Sequence, residues 1–182
     1  MSQTDLVNKL EQLLPHLFNS QNVSGEPYLR FQLTPGTLAV VSMEQVQESL
    51  VIPTENITPI PNLPESVIGL TNIHNSVFCV VDLGNLLNIS LSQLYPQAYH
   101  VIVIRLSLDD SPREWLLGLS VHRILGLTRL SSDCFQSPQE DIPKQLTPFL
   151  SGCFYENQER ILAFDLKTII QACPLINSQT QR

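Results

Sequence analysis

"GLTNIHNSVFCVVDL" (69–83) is apolar at both ends and polar in its middle. Read with the two residues before it, the first half is "VIGLTNI" (67–73) and the second "VFCVVDL" (77–83). Both are rich in the β-branched residues that fit a pleated surface. Between them lie His74, Asn75 and Ser76. Asn is one of the few side chains that tolerates the positive φ of a tight turn. The stretch therefore predicts a β-hairpin turning at His74-Asn75.

Working outward, the neighbouring segments are strand-like too. Upstream, "PTENITPIPNLPES" (53–66) carries Pro53, Pro59, Pro61 and Pro64. That density excludes helix and predicts an irregular extended connection. "YLRFQLT" (28–34) and "TLAVVS" (37–42) form a hairpin through Pro35-Gly36, and "MEQVQESLVI" (43–52) adds an extended piece. Downstream, "LGNLLNISLSQLYP" (83–96) reads as a short helix and a loop, and "YHVIVIRLSL" (99–108) as a long strand turned by residues 109–113. "EWLLGLSVHRILGLTRL" (114–130) is two strands, or one bent at Gly118 and Gly126. A polar loop follows (131–149). "LSGCFYE" (150–156) and "RILAFDL" (160–166) make a closing hairpin through Asn157-Gln158, and "KTIIQACPL" (167–175) a short C-terminal helix. About ten short strands separated by turns predict a mainly β barrel or sandwich. Two halves, 28–90 and 99–175, are expected, followed by a tail at 176–182. No internal repeat survives residue-by-residue comparison.

The first 20 residues differ. Leu6, Leu10, Leu13 and Leu14, then Leu17 and Phe18, recur at helical spacing. They predict an amphipathic helix over 3–14 within segment 1–20, kinked or ended at Pro15. A polar, turn-rich linker is expected at 21–27.

Composition narrows the function. The chain has 182 residues, 43% hydrophobic and 15% charged, with a net charge of -7 and a pI near 4.9. Nucleic acid is excluded as a partner, because phosphate binding needs clustered Lys and Arg. No segment has the apolar length for direct membrane insertion, and the N-terminus lacks the order of a signal peptide, so a cytoplasmic protein is expected. Cys79, Cys134, Cys153 and Cys173 form no Cys-x-x-Cys pair, and the four histidines have no metal-ligand spacing. No phosphate loop is present. Neither a cofactor nor a metal is expected.

Three residues invite catalysis. His74, Cys79 and Asp82 are close in sequence, which admits a small hydrolase using Cys79 or His74. Alternation, however, sends Cys79 and Asp82 to opposite faces of a strand. A lone turn histidine is more often a solvated turn residue. Asp82 and Asp165 each end an apolar run before Leu, where an Asp caps the helix that follows. A binding or scaffold protein is the better reading.

The order of these motifs resembles the CheW family of chemotaxis adaptors, from "FQL" (31–33) to about Cys173. "VQESLVIPTENITPIPNLPESVIGLTNI" (46–73) is similar to the family's Val-Gln-Glu strand, its Ile-Thr-x-Ile/Val-Pro segment and its Gly-Val-x-Asn-Leu hairpin. "VFCVVDL", "LLGLSVHRILGL" (116–127) and "LSGCFYENQERILAFDL" (150–166) are similar to later family segments. The resemblance implies two five-stranded SH3-like barrels packed together, without catalytic activity. It implies an adaptor that couples a CheA-type histidine kinase to methyl-accepting chemoreceptors in chemotaxis, phototaxis or type IV pilus motility. An alternative is a scaffold domain of the same kind serving an unrelated signalling complex. Partner-binding positions carried over are Val46, Gln47, Glu48, Asn72, His74 and Asn75, with Val46 expected to face outward. His74 stands where the family has Arg, Asn75 where it has Gly, and His122 where it has Asp.

Overall fold

The computed structural model describes residues 25–89, 96–106, 115–137, 142–156 and 158–177. The expected helix at 1–20 lies outside them.

The chain begins with the hairpin β1 (Glu26–Thr34) and β2 (Thr37–Ser42), closed at Gly36 with φ 94°. β1 starts inside the expected linker: Glu26 and Pro27 already pair with Leu130 and Arg129. Next come β3 (Val46–Pro53), a 3-10 turn at Thr54–Asn56 and the two-residue β4 (Ile57–Thr58). The central hairpin is β5 (Val67–Ile73) and β6 (Ser76–Asp82), followed by α1 (Leu83–Leu86). The second half runs β7 (Ala98–Leu106), β8 (Trp115–Val121), β9 (Arg123–Leu130), a 3-10 turn at Ser132–Cys134 and β10 (Phe135–Gln136). It closes with β11 (Leu150–Glu156), β12 (Glu159–Phe164), α2 (Leu166–Ala172) and α3 (Pro174–Asn177).

Three further boundaries differ from expectation. The run 114–130 breaks at His122, not at Gly118 or Gly126, because the chain changes sheet there. The C-terminal helix is two short helices, split where Pro174 starts a new first turn. The second reaches Asn177, into the expected tail.

The strands form two sheets, ordered β10-β11-β12-β2-β1-β9 and β3-β7-β8-β6-β5-β4. Each has five long strands and one of two residues at its edge. The halves 28–90 and 99–175 therefore do not each make a sheet. The β1-β2 hairpin joins the later strands β9 to β12, while β7-β8 joins the earlier strands β3 to β6.

The same topology reveals a repeat that residue comparison misses. In each half the order is hairpin, edge strand, 3-10 turn, two-residue strand, hairpin, then an Asp-capped helix. Details recur as well. β6 pairs β8 in parallel, and β12 pairs β2 in parallel. β3 carries a register shift between Val46 and Glu48. β9 carries one opposite Arg30/Phe31, where Leu125 has no partner. A Cβ on Gly69 would lie 2.3 Å from the Thr58 carbonyl oxygen in β4, and one on Gly152 would lie 2.2 Å from the Phe135 ring in β10. Each glycine is the third residue of its strand and lets the two-residue strand cross close by. The caps match: Asp82 accepts from the Asn85 N–H at 2.8 Å, and Asp165 from the Lys167 N–H at 2.9 Å.

Burial follows the strand period. In "VIVI" (101–104) all four residues are buried. Val101 and Val103 join Ile52, Phe78 and Val80 on one face of their sheet. Ile102 and Ile104 join Phe31, Val41, Leu119 and Phe164 in the core that draws on both sheets. A third cluster, with Val40, Leu130, Phe154 and Ile161, lines the other sheet's own inner face. Central strands buried on both faces read as unbroken apolar runs, and edge strands alternate. Long-range ion pairs report that both sheets curl. Arg30 of β1 meets Glu156 of β11 at 2.9 Å with two strands between them, and Glu48 of β3 meets the β5–β6 turn across the other sheet.

Candidate functional site: the surface at the central hairpin

The expected partner-binding residues come from two separate segments, and the curl of the sheet brings them together. The β5–β6 hairpin turns on two residues, with Ile73 paired to Ser76. His74 has φ 51° and Asn75 φ 63°. Two positive φ values are the mark of the type I′ turn, whose twist matches that of the strands. Asn and His are enriched among residues that adopt this region, so the turn forms without glycine.

This geometry presents the His74 side chain, 74% exposed, toward β3. Its Nδ1 lies 3.6 Å from Glu48 Oε2. The separation exceeds a hydrogen bond, and the contact is ionic when the imidazole is protonated. The two expected patches are thus one surface, with Gln47, Asn72 and Asn75 exposed around the pair.

Val46 is the correction. It is 9% exposed and belongs to the core shared by the two sheets, opposite Ile104. Alternation along β3 already turns Val46 inward with Ile52 and Gln47 outward with Ser49 and Val51. The irregularity decides which core Val46 joins: Val46 and Glu48 oppose adjacent residues of β7, with Gln47 as the extra residue, so Val46 takes the face of Ile104 and not that of Val101 and Val103.

Two large apolar side chains are also exposed on these strands: Val77, paired with Asn72 beside the turn, at 64%, and Val51 at 60%, three residues along β3 from Glu48 and so on the strand's opposite face. Period-two reading of β3 marks Val51, since Ser49 and Pro53 share its outward face. Nothing local distinguishes Val77 from the buried residues that follow it.

The hydrolase alternative finds no assembled site. Cys79 is half-buried and its thiol is pushed up, first by burial and then by Cys173, which opposes the reactive thiolate. Three residues of extended strand, about 10 Å, separate it from the turn. The ionisable partner of His74 is Glu48. Among the described residues no three metal-ligating side chains cluster, and no helix is long and apolar enough to cross a membrane.

Comparison with known proteins gives a consistent picture. A family model described as the CheW-like domain matches residues 27–173. No curated protein matches the chain. Among solved structures, the fold is similar to the scaffolding protein TtCheW from Thermoanaerobacter tengcongensis. The TM-score is 0.65 at 18% identity, covering 81% of this chain and 93% of that one.

Proposed function

The chain belongs to the CheW-like domain family, and on that premise we propose that it is a non-catalytic adaptor coupling a CheA-type histidine kinase to methyl-accepting chemoreceptors. Family membership supports a scaffold of the chemotaxis type. The observation that carries the proposal is the Glu48–His74 contact. It joins the edge strand and the hairpin turn into one polar surface. A surface of this make-up suits reversible docking in which charge and hydrogen bonding supply partner choice. Gln47, Glu48, Asn72, His74 and Asn75 are assigned to docking. Each curled sheet is taken as the counterpart of one SH3-like barrel. With His and Asn at the positions where Arg and Gly are usual, we place the protein beside its own kinase and receptor, with pilus motility and phototaxis ranking with flagellar chemotaxis. The cytoplasm is the compartment such partners require.

The test is a binding assay with the regulatory region of the kinase and the cytoplasmic part of the receptor. Glu48→Lys is expected to weaken binding about tenfold or more while leaving thermal unfolding unchanged, because the charge offered to the partner is then reversed. His74→Arg places a permanent bidentate donor beside Glu48 and is expected to shift preference toward conventional partners. A folded wild-type protein that captures neither kinase nor receptor removes the adaptor reading.

A further inference from the structure

An apolar groove of about 270 Å³ opens beside the central hairpin, on the sheet face that elsewhere forms the core. Val77 and Cys79 of β6, Leu106, Trp115 of β8, and Leu175 and Ile176 of α3 line it. Val77 is 64% exposed and Trp115 46%. Large aromatic and aliphatic groups left open in one concavity mark a contact site.

We propose that the occupant is this chain's own N-terminal segment, seated through the apolar face of residues 4–14. Leu6, Leu10, Leu13 and Leu14 are spaced to lie on one side of a helix, the pattern of a segment that docks in a groove. The remaining tether, residues 15–25, spans up to about 36 Å when extended. A domain of this size has a radius of gyration of about 15 Å. A compact body of that radius of gyration is about 39 Å across, so the extended tether reaches nearly its full width. Attachment in the same chain sets an effective concentration of order millimolar. A second copy at micromolar concentration competes poorly against that. Seated there, the segment covers the apolar wall adjoining the turn at His74-Asn75 without adding a charge to it, since Leu is the residue at each contacting position.

The chain has one tryptophan, so intrinsic fluorescence reads the groove directly. In the full chain, Trp115 emission is expected at short wavelength and resistant to acrylamide. Leu10→Asp with Leu14→Asp should move emission to longer wavelength and raise the quenching constant severalfold, with the thermal transition unchanged. Val77→Asp should give the same shift, and the combined variant no further shift. A synthetic peptide of residues 1–18, added to the Leu10/Leu14 variant, should reverse it. The proposal is overturned if wild type and the Leu10/Leu14 variant have the same emission and quenching, or if the peptide fails to reverse the shift. It is equally overturned by a shift that grows with protein concentration, which marks a second copy as occupant. Loss of the cooperative thermal transition in the Leu10/Leu14 variant places the leucines in the main core instead, and also overturns it.

Discussion

At the residue scale, neighbours in sequence take opposite roles. Val46 and Gln47 are adjacent, yet one is core and the other surface. Val46→Asp is expected to cost about 3 kcal/mol or more of folding stability, since an unpaired carboxylate enters an apolar cluster. Gln47→Lys should leave the melting temperature within a degree or two and act on partner binding. Thermal melts of the two variants separate these roles. His100 makes a different prediction. It is half-buried on β7, opposite Val51 and Val121, and its Nδ1 is buried with no hydrogen-bond partner. Burial holds its pKa below the usual histidine value, with Arg123 and His122 adding in the same direction. A group depressed in the folded state contributes stability above the unfolded value, about 6.5, and loses it as pH falls toward the folded value. The wild type should therefore lose more stability between about pH 7 and pH 5 than His100→Gln does, measured by urea unfolding at each pH. Parallel pH profiles would remove His100 from that account.

At the element scale, the glycines of the two closing hairpins have one task. Gly69 and Gly152 each lie where a two-residue strand passes within van der Waals distance of the backbone. Gly69→Ala puts a methyl group against the Thr58 carbonyl and the Ile57 side chain, which belong to a paired strand. Overpacking of this kind is expected to cost about 1–3 kcal/mol. Gly152→Ala meets the Phe135 ring first, and Phe135 is 40% exposed, so the ring can swing away. Its cost should be smaller, although the Gln136 carbonyl at 2.7 Å limits the relief. Chemical denaturation of the two variants gives the ranking, and an equal or reversed order would mean that Phe135 is held as firmly as backbone. In sequence both positions read only as a glycine inside a strand. The caps were legible in advance: an Asp between an apolar run and a short helix has one common use, and Asp82 and Asp165 both have it.

At the scale of the whole molecule, the two repeats exchange their first hairpins, and this makes the halves interdependent. Residues 25–89 carry β1 and β2, whose sheet is completed by β9 to β12, and residues 98–177 carry β7 and β8, whose sheet is completed by β3 to β6. Each piece keeps its hairpins but loses every pairing that joins them into a sheet: β1 with β9, β2 with β12, β3 with β7 and β6 with β8. Expressed alone, each is expected to lack dispersed amide resonances. Mixed, the two should recover the near-ultraviolet circular dichroism of the intact chain. A folded isolated half would show that the exchange is optional.

Strands, turns and caps were readable because alternation, proline density and turn chemistry act over two to ten residues, all within one stretch of chain. That is why the central hairpin, its turn at His74-Asn75 and the unbroken apolar run of β7 could be read directly. Sheet membership is different in kind. It depends on which strand edges meet after 50 or more intervening residues, as in the pairing of β1 with β9, and no local pattern encodes that choice. That Val46 joins the core shared by both sheets and not the cluster of Ile52 depends on one extra residue in β3 relative to its partner β7, which becomes visible only when both strands are in register. Bringing Glu48 to His74 required the sheet to curl so that β3 meets the β5–β6 hairpin across two intervening strands, β7 and β8. The amino-acid order thus determined the elements, and long-range pairing decided which of their faces became core and which became the surface offered to a partner.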